Sequence, residues 1–233
     1  MTARLGIFFA EEGLAGQPAL LRNFLRRTSI LEVLDADACD VVADMTGSHA
    51  LLDECERRGL FVQSVDPARA RFRCHPLLRD YLRSELRQGS PDEERGLRMR
   101  ASHWFLSAGD YEQAYDHAIG AGEYLEGARI LDACCADRRS EGLGRRLLSM
   151  MERLPQELRS RYPRVLLAMA WTLIFWWDFD QAEEVLIACR NRLNQIRSTG
   201  AASPEQLEEL ENLYLHRQMM LALFQDDLPR VVA

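Results

Sequence analysis

Five histidines, six cysteines and 36 carboxylates are the groups in this 233-residue sequence that could move protons, hold a metal or attack a substrate. Their spacing argues against all three roles. Cys39, Cys55, Cys74, Cys134, Cys135 and Cys189 form no C-x-x-C and no Cys/His pairing of the kind zinc requires. They read as reduced, mostly buried thiols of a cytosolic protein. No G-x-S-x-G, H-E-x-x-H or strand-linked G-x-G-x-x-G is present. Glu205, Glu208, Glu209 and Glu211 sit at spacings that suit a solvated helix face. All 29 positive residues are arginine. Without lysine, neither a P-loop nor a Schiff-base site can be built. The expectation is a non-enzyme with no catalytic and no metal-ligating residues, in which His49, His103, His117 and His216 serve ordinary packing or surface roles.

An aromatic cluster, Trp171, Phe175, Trp176, Trp177 and Phe179, is the other conspicuous group. It reads either as the core of stacked helices or as a small-molecule or partner surface where ring edges meet polar groups. Adjacent residues on a helix point about 100° apart, so Trp176 and Trp177 cannot both face one core, and one of them is expected at an exposed surface. Trp171, Trp176 and Trp177 are the candidates for a ligand or partner surface.

The elements that must position these groups are mostly helical. Pro18 to Arg27 carries Leu20, Leu21, Phe24 and Leu25 at helical spacing. Asp37 to Met45 is a short second helix, and Ser48 is placed to cap a third that ends at Gly59. The period then changes. Leu60 to Val65 and Arg71 to Cys74 are short β-favouring runs around Asp66-Pro67, and helix returns from His75 to Arg87. Three helices, a hairpin and a further helix make a winged-helix-like module over residues 1–88.

Gly89-Ser90-Pro91 marks the boundary, with Ser90 as cap, Pro91 in the first turn and Glu93 completing a capping box. Residues 89–233 read as helical repeats. Asp110-Tyr111 leads to Ala114, Glu123-Tyr124 to Ala128, Asp178-Phe179 to Ala182 and Asp227-Leu228 to Val231. The small residue permits close helix packing and the ring plugs the turn between paired helices, which predicts a TPR-like α-solenoid without a steady 34-residue period. A second capping box is expected at Ser203 to Gln206.

Charge and hydropathy narrow the partners. Net charge is -7, which gives no pull towards nucleic acid or an anionic membrane. Residues 17–88 hold 11 arginines and 11 acids, and the third helix sets Asp53, Glu54 and Glu56 against Arg57 and Arg58. A DNA reader needs a basic footprint, so no direct nucleic-acid contact is expected. The N-terminal MTARLGIFFAEEGL does not read as a signal peptide. The longest apolar run, Val165 to Trp177, is shorter than the roughly 20 residues of a membrane span and is expected to be a buried helix. The expected location is the cytoplasm.

Asn23-Phe-Leu-Arg-Arg-Thr-Ser-Ile-Leu31, Ala50-Leu-Leu-Asp-Glu-Cys-Glu-Arg-Arg-Gly-Leu-Phe-Val62 and Phe72-Arg-Cys-His-Pro-Leu-Leu-Arg-Asp-Tyr-Leu82 resemble, in order and spacing, the MalT-like, large ATP-binding LuxR-type regulators. The resemblance continues through Arg100 to Phe105, Tyr111 to Ala114 and His117-Ala118, then fades into general helical-repeat character. It implies a regulator with a P-loop ATPase domain, a winged helix, a superhelical sensor and a helix-turn-helix reader. This chain would supply the winged helix and the first part of the sensor, with the ATPase and reader domains as partners in cis. ATP or ADP is implied for the whole regulator, with no cofactor held by this chain alone. An inducer or a regulatory protein would meet the repeats.

The resemblance also implies a role for His75. In related switch ATPases a methionine-histidine-aspartate motif lets its histidine touch the β-phosphate of ADP. Cys74-His75-Pro76 occupies that place here, with both neighbours altered. A histidine at a strand-to-helix junction can donate to a phosphate oxygen, or it can simply cap or pack that junction. Two functions follow: a signal-sensing segment of a bacterial transcription activator, or a free-standing helical adaptor for a protein partner.

Overall fold

The computed structural model describes residues 13–137 and 144–226. The repeat-like turn at Asp227-Leu228 lies outside them. The chain divides into two compact units, the first running to Gly122 and the second from Glu123.

In the first unit the winged-helix elements follow in the expected order. They are α1 (Ala19–Thr28), β1 (Leu34–Asp35), α2 (Ala36–Ala43), α3 (Ser48–Arg57), β2 (Val62–Ser64), β3 (Arg71–Cys74) and α4 (Pro76–Gly89). β3 is central and antiparallel to both neighbours, pairing Leu34 with Phe72 and Val62 with Cys74. Alternation along β3 sends Phe72 and Cys74 into the core and Arg71 and Arg73 to the surface. Phe24, Leu25, Leu34, Val42, Leu52, Phe72, Leu82 and Leu86 fill that core. Sequence reasoning missed β1. Two residues cannot display a period, and Asp35 also signals a helix start, since its carboxylate accepts the Asp37 and Ala38 N–H groups.

Two predicted caps differ. Ser48 is the first helical residue of α3, not its cap. Gly47 holds the cap position at φ 85°, the Ser48 N–H donates to Asp40 at 2.9 Å, and the buried Ser48 hydroxyl has no hydrogen-bond partner. Glycine reaches that left-handed geometry without a Cβ penalty, and it displaces the serine by one position. Ser90 does cap α5 (Pro91–Ser107), accepting from the Glu93 N–H at 3.3 Å. The Glu93 carboxylate, however, turns to Arg26 with contacts of 2.8 and 2.9 Å. A bidentate guanidinium outcompetes a single backbone N–H.

α5 packs on α2, on α4 and on α6 (Tyr111–Gly120), and its Leu97 and Ala101 join the winged-helix core. Arg100 donates to the Val42 carbonyl at 2.8 Å, and Arg83 of α4 donates to the carbonyls of Ser29 and Ile30. Within the α5–α6 pair, Ser102 donates to the Ala114 carbonyl, and Asp110 caps α6. Ala114 is fully buried, as the small-residue pattern requires.

The second unit comprises α7 (Tyr124–Ala136), α8 (Gly144–Glu152), α9 (Gln156–Arg159), α10 (Pro163–Phe175), α11 (Phe179–Thr199) and α12 (Pro204–Phe224). α10, α11 and α12 pack against one another, and α7 packs on α9 and α10. Ala128 and Ala182 are fully buried. The Ser203–Gln206 capping box forms in both directions. The Tyr124 ring is 43% exposed and does not plug its turn as the pattern suggested. The architecture is thus mostly α, a winged-helix module followed by paired helices. No helix among the described residues is long and apolar enough to cross a membrane.

Candidate functional site

His75 stands where β3 hands over to α4. Its backbone remains extended, at φ -58° and ψ 134°, and its N–H donates to the Phe61 carbonyl at 2.8 Å, prolonging the hairpin by one rung. Pro76 then fixes the first helical residue, and the His75 Nδ1 caps the helix by accepting the Leu77 N–H at 3.3 Å. With Nδ1 accepting this bond, Nε2 is the ring nitrogen left to donate. The side chain is exposed, and Nε2–H is the donor it offers to solvent or to a ligand. Capping and donating are therefore compatible roles of one ring.

Phe61 flanks it. Its ring centroid lies 6.2 Å from that of His75, it is 49% exposed, and its φ is 55°. An aromatic residue in the left-handed region is strained by about 1–3 kcal/mol. The tight Gly59-Leu60 exit from α3, where the Gly59 and Leu60 N–H groups return to Glu56 and Cys55, forces this geometry. Sequence reasoning did not single out Phe61; only the Gly59-Leu60 turn hinted at its position.

Most charges on the outer surface of α3 and the wing tip are neutralised from within. Arg69, at the tip of the hairpin, donates to Asp53 at 2.6 Å and also to Glu56. Glu54 pairs with Arg57 and Arg58, and Arg71 pairs with Asp66 at 3.3 Å. Glu56 accepts the Ser64 N–H as well; that bond, followed by Arg69, holds its carboxyl below the usual range.

In the second unit the three candidate tryptophans occupy different settings. α10 stops at Phe175, so Trp176 is its C-cap and Trp177 lies beyond it at φ 62°. Their relation is therefore not the 100° step of a continuing helix. Both are exposed, Trp176 at 45% and Trp177 at 68%. Trp171 is half-buried, edge-on to Phe175 at 4.5 Å and capped by the Arg217 guanidinium at 4.1 Å. Arg145 covers Trp176 at 5.0 Å, and Trp177 meets Phe179 and Phe224 at 5.6 and 5.9 Å. Phe175 is exposed too, so the last turn of the apolar run is not buried as expected. A separate groove of about 420 Å³ lies between α11 and α12, lined by Glu183, Leu186, Arg190, Tyr214, Gln218 and Leu221; none of the three tryptophans lines it.

Elsewhere, His117 and several thiols are buried, whereas His49, His103 and His216 lie at the surface. His117 is buried and stacked on Phe105 at 5.5 Å and 6°, with its Nδ1 unpartnered. Burial, then Arg98 and Arg83, lower its pKa to about 4. Burial pushes the thiols of Cys55, Cys74 and Cys189 up to about 12, which leaves them unreactive as nucleophiles. No group of three His, Cys, Asp or Glu suited to a metal occurs among the described residues.

Comparison with known proteins agrees with the winged-helix geometry. Residues 10–94 match the MalT winged helix domain family. The chain is 25% identical over 227 residues to the HTH-type transcriptional regulator MalT of Klebsiella pneumoniae, covering 91% of this chain and 25% of the relative. It is 25% identical over 180 residues to the HTH-type transcriptional regulator AlkS of Pseudomonas putida, covering 77% of this chain and 20% of that protein. It is 30% identical over 167 residues to the serine/threonine-protein kinase PknK of Mycobacterium tuberculosis, covering 72% of this chain and 15% of the kinase. The chain thus spans a quarter or less of each of these relatives. Its winged-helix region is of MalT type.

Proposed function

We propose that this chain is the coupling segment of a larger signal-responsive regulator, in which the winged helix senses the nucleotide held by an ATPase domain and the helical repeats receive an inducer or partner protein. The observation that carries the reading is His75: its Nδ1 is spent on the α4 cap and its Nε2–H is presented outward beside Phe61. An Nε2–H donor at that point can hold a phosphate oxygen of bound ADP and so favour the resting state. Arg57, Arg58, Arg69 and Arg71 of the α3–wing surface are engaged by Asp53, Glu54, Glu56 and Asp66, which supports a role other than gripping DNA phosphates. ATP or ADP would be held by an ATPase domain of the larger regulator, and nothing in this reading makes the segment itself an enzyme. The relatives carry the shared segment in transcriptional regulators and in a protein kinase, as suits a module that relays a signal to different outputs.

The test is basal expression from a reporter driven by the intact regulator. His75→Ala is expected to raise it without inducer, because the resting state loses a phosphate contact. Unchanged basal expression would remove the reading. The exposed Phe175, Trp176 and Trp177 favour a second function for the same chain, a docking surface for a protein partner, as in a helical adaptor.

A further inference from the structure

Arg73 stands two residues before His75 on the strand that His75 extends. Side chains two residues apart along a strand share a face and lie about 7 Å apart. Phe72 and Cys74 point into the core, so Arg73 and His75 emerge together on the outer face of the wing. Across the hairpin their neighbours on that face are Gln63, paired with Arg73, and Phe61, whose carbonyl receives the His75 N–H. The other wing arginines are committed, Arg69 to Asp53 and Glu56, and Arg71 to Asp66. The Arg73 side chain is exposed and makes no hydrogen bond or ion pair among the described residues. The hairpin therefore leaves one imidazole donor fixed by the α4 cap and one uncommitted guanidinium side by side, backed by an aromatic ring held in a strained conformation.

We infer that the outer face of the wing is a diphosphate-binding surface in which Arg73 is a second anion-binding residue beside His75. The inference rests on the nucleotide-sensing reading and adds a residue to it. A guanidinium presents paired N–H groups to phosphate oxygens, and the Nε2–H of His75 adds a third donor from a different direction. Two phosphate groups, not one, match donors spaced along a strand in this way. The ligand class is thus a nucleoside diphosphate or pyrophosphate in preference to a monophosphate. Phe61 buttresses the imidazole, and Gln63 extends the polar rim.

The test is an NMR titration of this chain with pyrophosphate, ADP and AMP, following the His75 ring protons and the arginine Nε–H signals at matched ionic strength. It is carried to high ligand concentration, because the ATPase domain's share of the site is not in this chain and binding is expected to be weak. Pyrophosphate and ADP are expected to move His75 and Arg73 together and to bind more tightly than AMP. Arg73→Gln should weaken pyrophosphate binding about five- to tenfold, the size of an exposed charge-assisted contact. Arg71→Gln, which removes an arginine already paired, should change it little. If His75→Gln loses binding while Arg73→Gln does not, the inference falls and the sensing reading stands. Equal shifts with chloride at the same ionic strength, or no shift at saturating pyrophosphate, would also overturn the inference. The sensing reading would then be judged by the His75→Ala reporter alone. Loss of the His75 shift together with an unchanged reporter would remove both.

Discussion

Arg26 and Glu93, 67 positions apart, form a two-pronged ion pair of 2.8 and 2.9 Å that ties the first helix of the winged module to the first turn of α5. Both side chains are less than a third exposed, and Arg27 stands 3.6 Å from the same carboxylate. Arg26 is the main cause holding the Glu93 carboxyl below its ordinary range.

A double-mutant cycle of Arg26→Ala and Glu93→Ala, read by urea unfolding at pH 7, should give a coupling of about 1 kcal/mol. The sign with pH follows from the lowered folded pKa. The stabilisation is present above the unfolded carboxyl pKa and is lost as pH falls through the folded one. A coupling that persists unchanged in strong acid would show that the pair is not the source.

His117 sets a second pH dependence of similar sign by the opposite chemistry. Its folded pKa is lowered to about 4 from the ordinary 6.5, chiefly by burial against Phe105. Between those values the unfolded chain binds a proton that the folded chain refuses, so stability falls as pH drops from 6.5 towards 4. The loss is on the order of 2–3 kcal/mol. His117→Phe, which keeps an aromatic stack and removes the proton site, should flatten the urea midpoint between pH 7 and pH 5. An equal slope in wild type and variant would refute this assignment.

Trp177 is 68% exposed at φ 62°, a poor conformation for any residue with a Cβ. Trp177→Gly relieves that strain while losing the outlying contacts to Phe179 and Phe224. The two effects should offset, leaving stability within about 1 kcal/mol of wild type. A partner that docks on this surface would be lost at the same time. A large loss of stability would mean that the ring supports the fold and is not there for a partner.

Much of this molecule was legible because its signals are local. Leu21, Phe24 and Leu25 and Leu78, Leu82 and Leu86 of the two predicted stripes are buried, although Leu20 and Leu77 at their starts are exposed. The change to alternation at Arg71 to Cys74 and the Ser203 capping box survive in the structure. The small residues Ala114, Ala128 and Ala182 are buried where the repeat pattern placed them. What was not legible depends on partners distant in sequence. β1 exists only because Leu34 finds Phe72. Glu93 leaves its capping box only because Arg26 is near. The exposure of both Trp176 and Trp177 follows from the place where α10 stops, one residue before the pair. At the candidate site the sequence pointed to His75 but not to Phe61, whose position is fixed by a strained turn.

The central claim is that His75 holds the phosphate of a resident nucleotide through Nε2, and the most direct measurement is the rate at which ADP leaves the intact regulator. With labelled ADP preloaded and chased by unlabelled nucleotide, His75→Ala should release it about tenfold faster than wild type, as expected for loss of one charge-assisted hydrogen bond. Identical release rates would contradict the account and leave His75 as the cap of α4 alone.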